Sequence, residues 1–347
     1  MNPTAASPSV PRAHDKAPSM LSRWRAKPWW PWAKRIVLGG FFVFVVIMLA
    51  IQARAIEWGD VFDTMRAYPL RVVLLAALLA AASHLVYASF DLVGRHYTGH
   101  RLRAPTVMAI TFVSYAFNLN LGTIVGAVAM RVRLYSRLGL DAATITRIVG
   151  TSMLTNWLGY FLLAGLAFIW WPLALPADWH VGLGVLRLLG AALVAVSLGY
   201  LALCALSKRR EWHVRGHEIA LPGPRVALVQ LLLSTANWAV MGATMYVLLQ
   251  GKVAYPVVLG VLLIGAVAGL LSRVPAGLGV LEAVFVALLS SRMNDSSLIA
   301  AVLLYRAVYY WAPLVIAALV YLAMETSARK LALEGASAAA ATGAPAR

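Results

Sequence analysis

The stretch Ser272-Arg273-Val274-Pro275-Ala276-Gly277-Leu278-Gly279-Val280-Leu281-Glu282 interrupts the middle of an apolar run that extends from Pro256 to Ser291. Backbone exposed to lipid has no water to bond. A break carrying a proline, two glycines, an arginine and a glutamate therefore belongs where protein or a water-filled cavity surrounds it. The pattern predicts a broken helix or re-entrant hairpin turned by Pro275, Gly277 and Gly279. Half-helices of this kind aim backbone amides and dipole ends at a site near the bilayer midplane, as in transporters built from two related halves.

The composition agrees with a membrane setting. Of 347 residues 61% are hydrophobic and only 12% charged, with a mean hydropathy of +0.78, which excludes a soluble globular domain. Long continuous apolar runs, not short alternating ones, argue for helices over a β-barrel. The expected fold is an all-α polytopic membrane protein with about six full spans plus two re-entrant or broken hairpins. The formal charge of +17 falls in loops and tails, where it sets orientation and attracts anionic head groups; nucleic acid is not an expected partner. Cys204 is the single cysteine, so there is no disulfide framework or Cys-based zinc site. His213 and His217, beside Glu218, fall in a basic loop and read as solvated rather than metal-binding. No metal or cofactor is expected.

Residues 1–35 form a basic, Trp-rich segment holding Arg12, Lys16, Arg23, Arg25, Lys27, Lys34 and Arg35 against Asp15, which places that end in the cytoplasm. A single transmembrane domain covers 36–324, with full spans at 36–53, 70–93, 148–172, 183–206, 225–249 and 297–324. The segments 105–130 and 256–291 are interrupted. The first break is softer: Asn118-Leu119-Asn120-Leu121-Gly122, with Gly126 one turn on. Arg131, Arg133, Arg137 and Arg147 stay on the cytoplasmic side only if 105–130 enters and returns as a hairpin. The loops 173–182, without Lys or Arg, and 207–225, rich in both, then alternate correctly. Each half, 36–172 and 183–324, is helix, helix, hairpin, helix. Equivalent elements start roughly 150 residues apart, the spacing of an inverted repeat. Residues 325–347 read as a cytoplasmic disordered tail, and both termini are expected in the cytoplasm.

Charges inside apolar segments mark pathways or paired locks. Glu282 and Arg306 are expected to pair, either as a structural lock or with a direct part in substrate handling. Arg273 either faces a phosphate or caps carbonyls at the break. Arg131 and Arg133 either gather lipid phosphates at the cytoplasmic mouth or simply set topology. Asn118 and Gly122 shape the first break, and Asn156 lines a path or bonds a neighbouring helix. Asp91 is expected to pair with Arg95 at i+4, on the helix face shared by His84 and Tyr87. Gly-rich nucleotide loops, HExxH helices and GxSxG elbows are absent, so no enzyme is predicted.

Tyr115 to Leu140 (YAFNLNLGTIVGAVAMRVRLYSRLGL), Thr155 to Tyr160 (TNWLGY), Val274 to Phe285 (VPAGLGVLEAVF) and Tyr305 to Tyr310 (YRAVYY) resemble YbhN-like inner-membrane proteins. These belong to the family of the transmembrane region of lysylphosphatidylglycerol synthases. The resemblance spans roughly residues 36 to 324, and its most diagnostic element is Pro275 to Glu282. It implies a lipid-translocating domain of a bacterial cytoplasmic membrane with paired re-entrant elements, binding phospholipid phosphate groups. A polyprenyl-phosphate carrier, or a scaffold for lipid-modifying enzymes that transports nothing, are the alternatives. Many relatives carry a Pro and a Gly-Glu pair at the first break and an Arg on the next span. This chain has Asn118 to Gly122 and Asn156 there. The family's lysyl-transferring synthase adds a soluble aminoacyl-transferase domain, without which this chain is not expected to make lysyl lipids.

Overall fold

A computed structural model describes residues 58–171, 182–207, 211–214, 217–272 and 274–326. The expected span 36–53, the basic N-terminal segment and Arg273 lie outside these residues, as does all but the start of the expected tail. The described chain is built from helices: α1 (Trp58–Arg66), α2 (Leu70–Thr98, bent at Ser89), α3 (Ala104–Leu121), α4 (Arg131–Arg137), α5 (Ala142–Trp170), α6 (Leu183–Leu206), α7 (Pro224–Leu248), α8 (Tyr255–Ser272), α9 (Val280–Leu289) and α10 (Asp295–Thr326). α2, α5, α6, α7, α8 and α10 are long and apolar enough to cross a bilayer. The chain is an all-α polytopic membrane protein. A two-stranded antiparallel ribbon, β1 (Glu211–Val214) with β2 (His217–Ala220), decorates the basic loop between α6 and α7.

Several boundaries move for local reasons. α2 runs to Thr98, past the expected 93, and stops at Gly99, whose φ of 68° terminates a helix without Cβ strain. α5 starts at Ala142 rather than 148 because Asp141 caps it, accepting from the N–H groups of Ala143 and Thr144 at 2.9 and 3.0 Å. The Thr144 hydroxyl and N–H hold the Asp141 carboxyl below its usual range. Arg147 therefore lies on the exposed face of α5's early turns.

Both interrupted segments fold back on themselves. In the first, α3 ends at Gly122 (φ 85°), and the chain returns through a π-helical stretch, Ile124–Met130, into α4. Gly126 lies against the α3 backbone; a Cβ there would come 1.9 Å from the Asn118 nitrogen. The hairpin's exit shares one end of the molecule with the C-terminal part of α2, since Arg131 pairs with Asp91. Arg133 and Arg137 both reach Glu325 of α10, and Gly94 of α2 packs on Ile148 of α5. In the second, α9 is 10 residues, about 15 Å, too short to cross, and it runs back beside α8 with Leu281 against Gly265. At this opposite end, the Tyr68 hydroxyl before α2 donates to the Leu248 carbonyl of α7 at 2.7 Å, and Val61 of α1 packs with Ile299 and Ala300 of α10. Each hairpin thus leaves from the end it entered.

The two halves meet along α2, α5, α7 and α10. Gly159 of α5 is in backbone contact with α7: a Cβ would come 2.3 Å from the Thr235 nitrogen, and the Gly159 N–H donates to Ser234 Oγ at 3.1 Å. Such glycines let helices approach closely where lipid supplies no hydrophobic drive. The largest apolar cluster, including Phe90, Tyr160, Trp238, Met245, Phe285 and Tyr309, fills the space between the halves.

Candidate functional site

The second break is organised by one guanidinium. Pro275–Gly277 make a short 3-10 turn in which Ala276 and Gly277 take φ values of 57° and 56°, followed by Gly279 at 77°. A left-handed alanine costs about 1–3 kcal/mol and persists only where its surroundings fix it. Arg306, with no exposed surface, supplies that constraint. Its Nη1 donates to the Ala276 carbonyl at 2.8 Å and its Nη2 to the Gly277 carbonyl at 2.7 Å. Nε and Nη2 also bond Glu282 Oε1 and Oε2 at 2.5 and 2.9 Å. Four of the five guanidinium N–H groups are taken by a carboxylate and two carbonyls, a planar match that only arginine offers. Glu282 keeps 15% of its side-chain surface exposed, so the pair is open on the carboxylate side. Tyr310 lies alongside, its ring 5.5 Å from the Arg306 guanidinium carbon.

The first hairpin reaches the same place. Asn120, at the end of α3, donates from Nδ2 to the Ala116 carbonyl at 2.8 Å and to the Tyr310 carbonyl at 3.2 Å. That carbonyl belongs to a π-helical turn, Ala307–Trp311, immediately after Arg306. α3 also packs on the Pro275–Gly277 turn. The tips of the two hairpins therefore meet on α10, and among the described residues each half contains one π-helical stretch, a feature often found at functional sites.

Beside this junction lies a buried chain of uncharged polar groups. Ser83 of α2 donates to Asn237 Oδ1 of α7 at 2.8 Å, so the 2.6 Å bond between Ser83 and Tyr309 has the tyrosine as donor. Tyr115 in turn donates to Tyr309 at 3.1 Å. The His84 ring packs 4.8 Å from Tyr309 and 5.2 Å from Tyr115, and Tyr305 stacks on Tyr309 at 5.1 Å. The sequence pattern placed His84 on one helix face with Asp91 but did not point to Ser83 or Asn237. An asparagine inside the apolar α7 was the available signal.

Of the other predicted site residues, Arg131 is 1% exposed. Its Nε and Nη2 bond the two Asp91 oxygens at 2.9 and 3.0 Å, while Nη1 donates to the Ala127 carbonyl and Nη2 also to Ser152. The Tyr135 hydroxyl donates to the same carboxylate at 2.9 Å. Asp91 pairs with Arg131 and not with Arg95, because the hairpin brings a rigid fork to a fully buried carboxylate. Arg133 is half exposed and faces Glu325. Asn118 accepts the Gly122 N–H at 2.9 Å, closing the tip. The Asn156 main-chain carbonyl receives Ser234 and the Trp238 indole at 2.8 and 3.1 Å, joining α5 to α7. Glu282, Arg306, Gly277, Gly279 and Pro275 come together; Arg131, Arg133 and Asn156 do not join them.

This architecture agrees with the comparisons. The family model of the lysylphosphatidylglycerol synthase TM region matches residues 36–317, and the chain belongs to that family. It is 45% identical over 309 residues to the inner membrane protein YbhN of Escherichia coli (strain K12), covering 88% of this chain and 97% of the relative. An uncharacterized protein of Synechocystis sp. is 29% identical over 284 residues, 79% of this chain and 87% of its own. A phosphatidylglycerol lysyltransferase of Staphylococcus haemolyticus is 32% identical over 90 residues, 25% of this chain and 11% of that enzyme.

Proposed function

We propose that this protein is a non-enzymatic phospholipid translocase of a bacterial inner membrane, in which the junction of the two hairpin tips handles the lipid phosphate. The observation that carries this reading is the Arg306 cluster. A guanidinium with no exposed surface bonds two carbonyls of a broken helix, while its carboxylate partner, Glu282, keeps 15% of its side chain exposed. A phosphate entering from that side competes with Glu282 for the same planar fork. The acyl chains stay in lipid while the halves shift around the fixed site, as broken-helix transporters do. The membrane placement follows from the apolar helices and from the likeness to an inner membrane protein; the lipid cargo is supported by the shared segment with a phosphatidylglycerol lysyltransferase.

The test is reconstitution into proteoliposomes with acyl-labelled phospholipids and a leaflet-selective quencher. Scrambling or directed movement above the protein-free rate is expected, and it is expected to fall in Glu282→Gln and Arg306→Ala at equal protein abundance. Rates equal to protein-free vesicles would turn the assignment toward a scaffold for lipid-modifying enzymes.

A further inference from the structure

We propose that the groove between α2, α3 and α10 binds one acyl chain of a phospholipid whose head group lies at the basic end of the molecule, against Arg133 and Arg137. The proposal concerns a lipid held in place, and it stands whether or not the protein translocates lipid.

The groove is a cavity of about 530 Å³, within the range of small-molecule sites. Small side chains leave the space: Ala77, Ala81 and Ala88 of α2, Ala109 of α3 and Ala312 of α10 all line it. Apart from His84 the lining residues are apolar, and among the described residues no charged side chain borders the groove. A phosphate or an ammonium finds no partner in such walls, which therefore exclude a head group and admit hydrocarbon. Leu85 of α2 and Ile316 of α10, both lining residues, are 62% and 53% exposed, so the groove opens sideways. A chain lodged in it has not left the hydrocarbon of the bilayer.

Its dimensions select the occupant. The lining runs from Ala77 to Ala88 on α2 and from Val308 to Val320 on α10, about 17 and 18 Å of helix. That is close to the depth of one leaflet, half of a hydrocarbon core about 30 Å thick. Spread over this length, 530 Å³ gives a mean cross-section of roughly 30 Å², less than half that of an α-helix with its side chains, about 10–12 Å across. An extended acyl chain fits; a helix from a partner protein or a second copy does not. Left empty, the walls would forfeit their dispersion contacts.

The anchor lies at one end. Val308 stands two residues beyond Arg306, whereas Ala88 and Val320 lead toward the end where Asp91 pairs with Arg131 and Glu325 meets Arg133 and Arg137. Tyr321, next to Val320, has the Arg133 guanidinium carbon 5.8 Å from its ring centre. Arg133 and Arg137 are partly exposed and share the single Glu325 carboxylate, which leaves net positive charge at the mouth of the groove for a lipid phosphate.

The experiment titrates the delipidated full chain in detergent with dioleoyl phosphatidylglycerol and follows complexes by native mass spectrometry. A saturable one-to-one complex is expected. Ala81→Phe/Ala312→Phe fills the groove from two exposed positions and is expected to weaken the complex about tenfold, while Val196→Phe on the exposed face of α6 leaves it unchanged. Arg133→Ala/Arg137→Ala is expected to weaken it several-fold with the groove intact, and oleate, a chain without phosphate, to bind about tenfold more weakly than the phospholipid. Absence of a saturable complex, or one that filling the groove leaves intact, overturns the groove as a lipid site. Equal binding of oleate, or undiminished binding by the arginine double variant, overturns the head-group anchor. A benzophenone side chain at position 112, on the groove wall, gives a reading that needs no filled groove and decides the question if the double phenylalanine variant does not fold. Irradiated in native membranes, it is expected to yield a phospholipid adduct; an adduct to protein instead, whether this chain or another, overturns the proposal.

Discussion

Replacing Arg306 by lysine keeps the charge and removes the fork. Arg306 makes four bonds, two to Glu282 and one each to the Ala276 and Gly277 carbonyls. An ammonium has three donors radiating from a single atom, so at least one of these oxygens loses its partner. A buried acceptor left unpaired costs about 1–3 kcal/mol, a shift of roughly 5- to 150-fold in the unfolding equilibrium. Arg306→Met leaves all four acceptors without donors and strands the Glu282 carboxylate, for about 3–5 kcal/mol. A Glu282→Met/Arg306→Met double variant relieves the stranded charge but not the two carbonyls. Its stability is therefore expected to lie between Arg306→Met and the native protein, not at the native level that a simple ion pair would allow. Steric-trap unfolding in bicelles measures these differences, with lipid translocation followed on the same preparations. A double variant as stable as the native protein would show that the guanidinium does not hold the break. Normal translocation by that variant would remove the pair from phosphate handling altogether.

Asp91→Leu is expected to destabilise by about 3–5 kcal/mol, because it strands a buried Arg131 and removes the acceptor of Tyr135; the unfolding assay reads this directly, and a near-native value would contradict the buried pair. Gly126→Val is expected to abolish accumulation of folded protein, since its Cβ would overlap the Asn118 backbone, whereas Gly150→Val, in open space on α5, is expected to be tolerated; fluorescence-detected size exclusion separates them. Glu325→Gln, at the partly exposed clasp with Arg133 and Arg137, is expected to change stability by no more than about 1 kcal/mol. In a Cys204→Ser background, single cysteines at positions 133 and 326 are expected to react with a membrane-impermeant thiol reagent from the cytoplasmic side, and those at 60 and 252 from the opposite side. Labelling of 133 and 60 from one side would break the hairpin arrangement.

The two breaks were legible because lipid tolerates so little: Pro275 with Gly277 and Gly279, or Asn118 with Gly122, inside an apolar run leaves few structures that satisfy the backbone. The pairing of Glu282 with Arg306 followed from the same cost. Asp91 was misassigned to Arg95 because i+4 spacing describes only a helix's own surface. The partner that won, Arg131, arrives through a hairpin that returns the chain to the same end. Neither π-helical stretch was legible, since one extra residue per turn leaves no compositional mark. Nor was the role of Arg306 toward two carbonyls, which depends on where the backbone of Ala276 and Gly277 points.

The buried ion pairs have a consequence for how such a chain enters a membrane. A lone charged side chain at the bilayer centre is penalised by about 2.5–3.5 kcal/mol even on the mildest scale. Asp91 meets Arg131, and Glu282 meets Arg306, each within a single half of the chain. The amino-terminal half can therefore neutralise its own charges before the carboxyl-terminal half has been synthesised, and the later half needs nothing from the earlier one to do the same. What joins the halves afterwards in the interior, Ser83 to Asn237, Tyr309 to Ser83, Tyr115 to Tyr309 and Ser234 to Asn156, is uncharged. Helix-to-helix bonds of that kind average about 0.6 kcal/mol in a bilayer. Insertion is thus charge-balanced piece by piece, and the seam closed last is held by bonds weak enough to be remade.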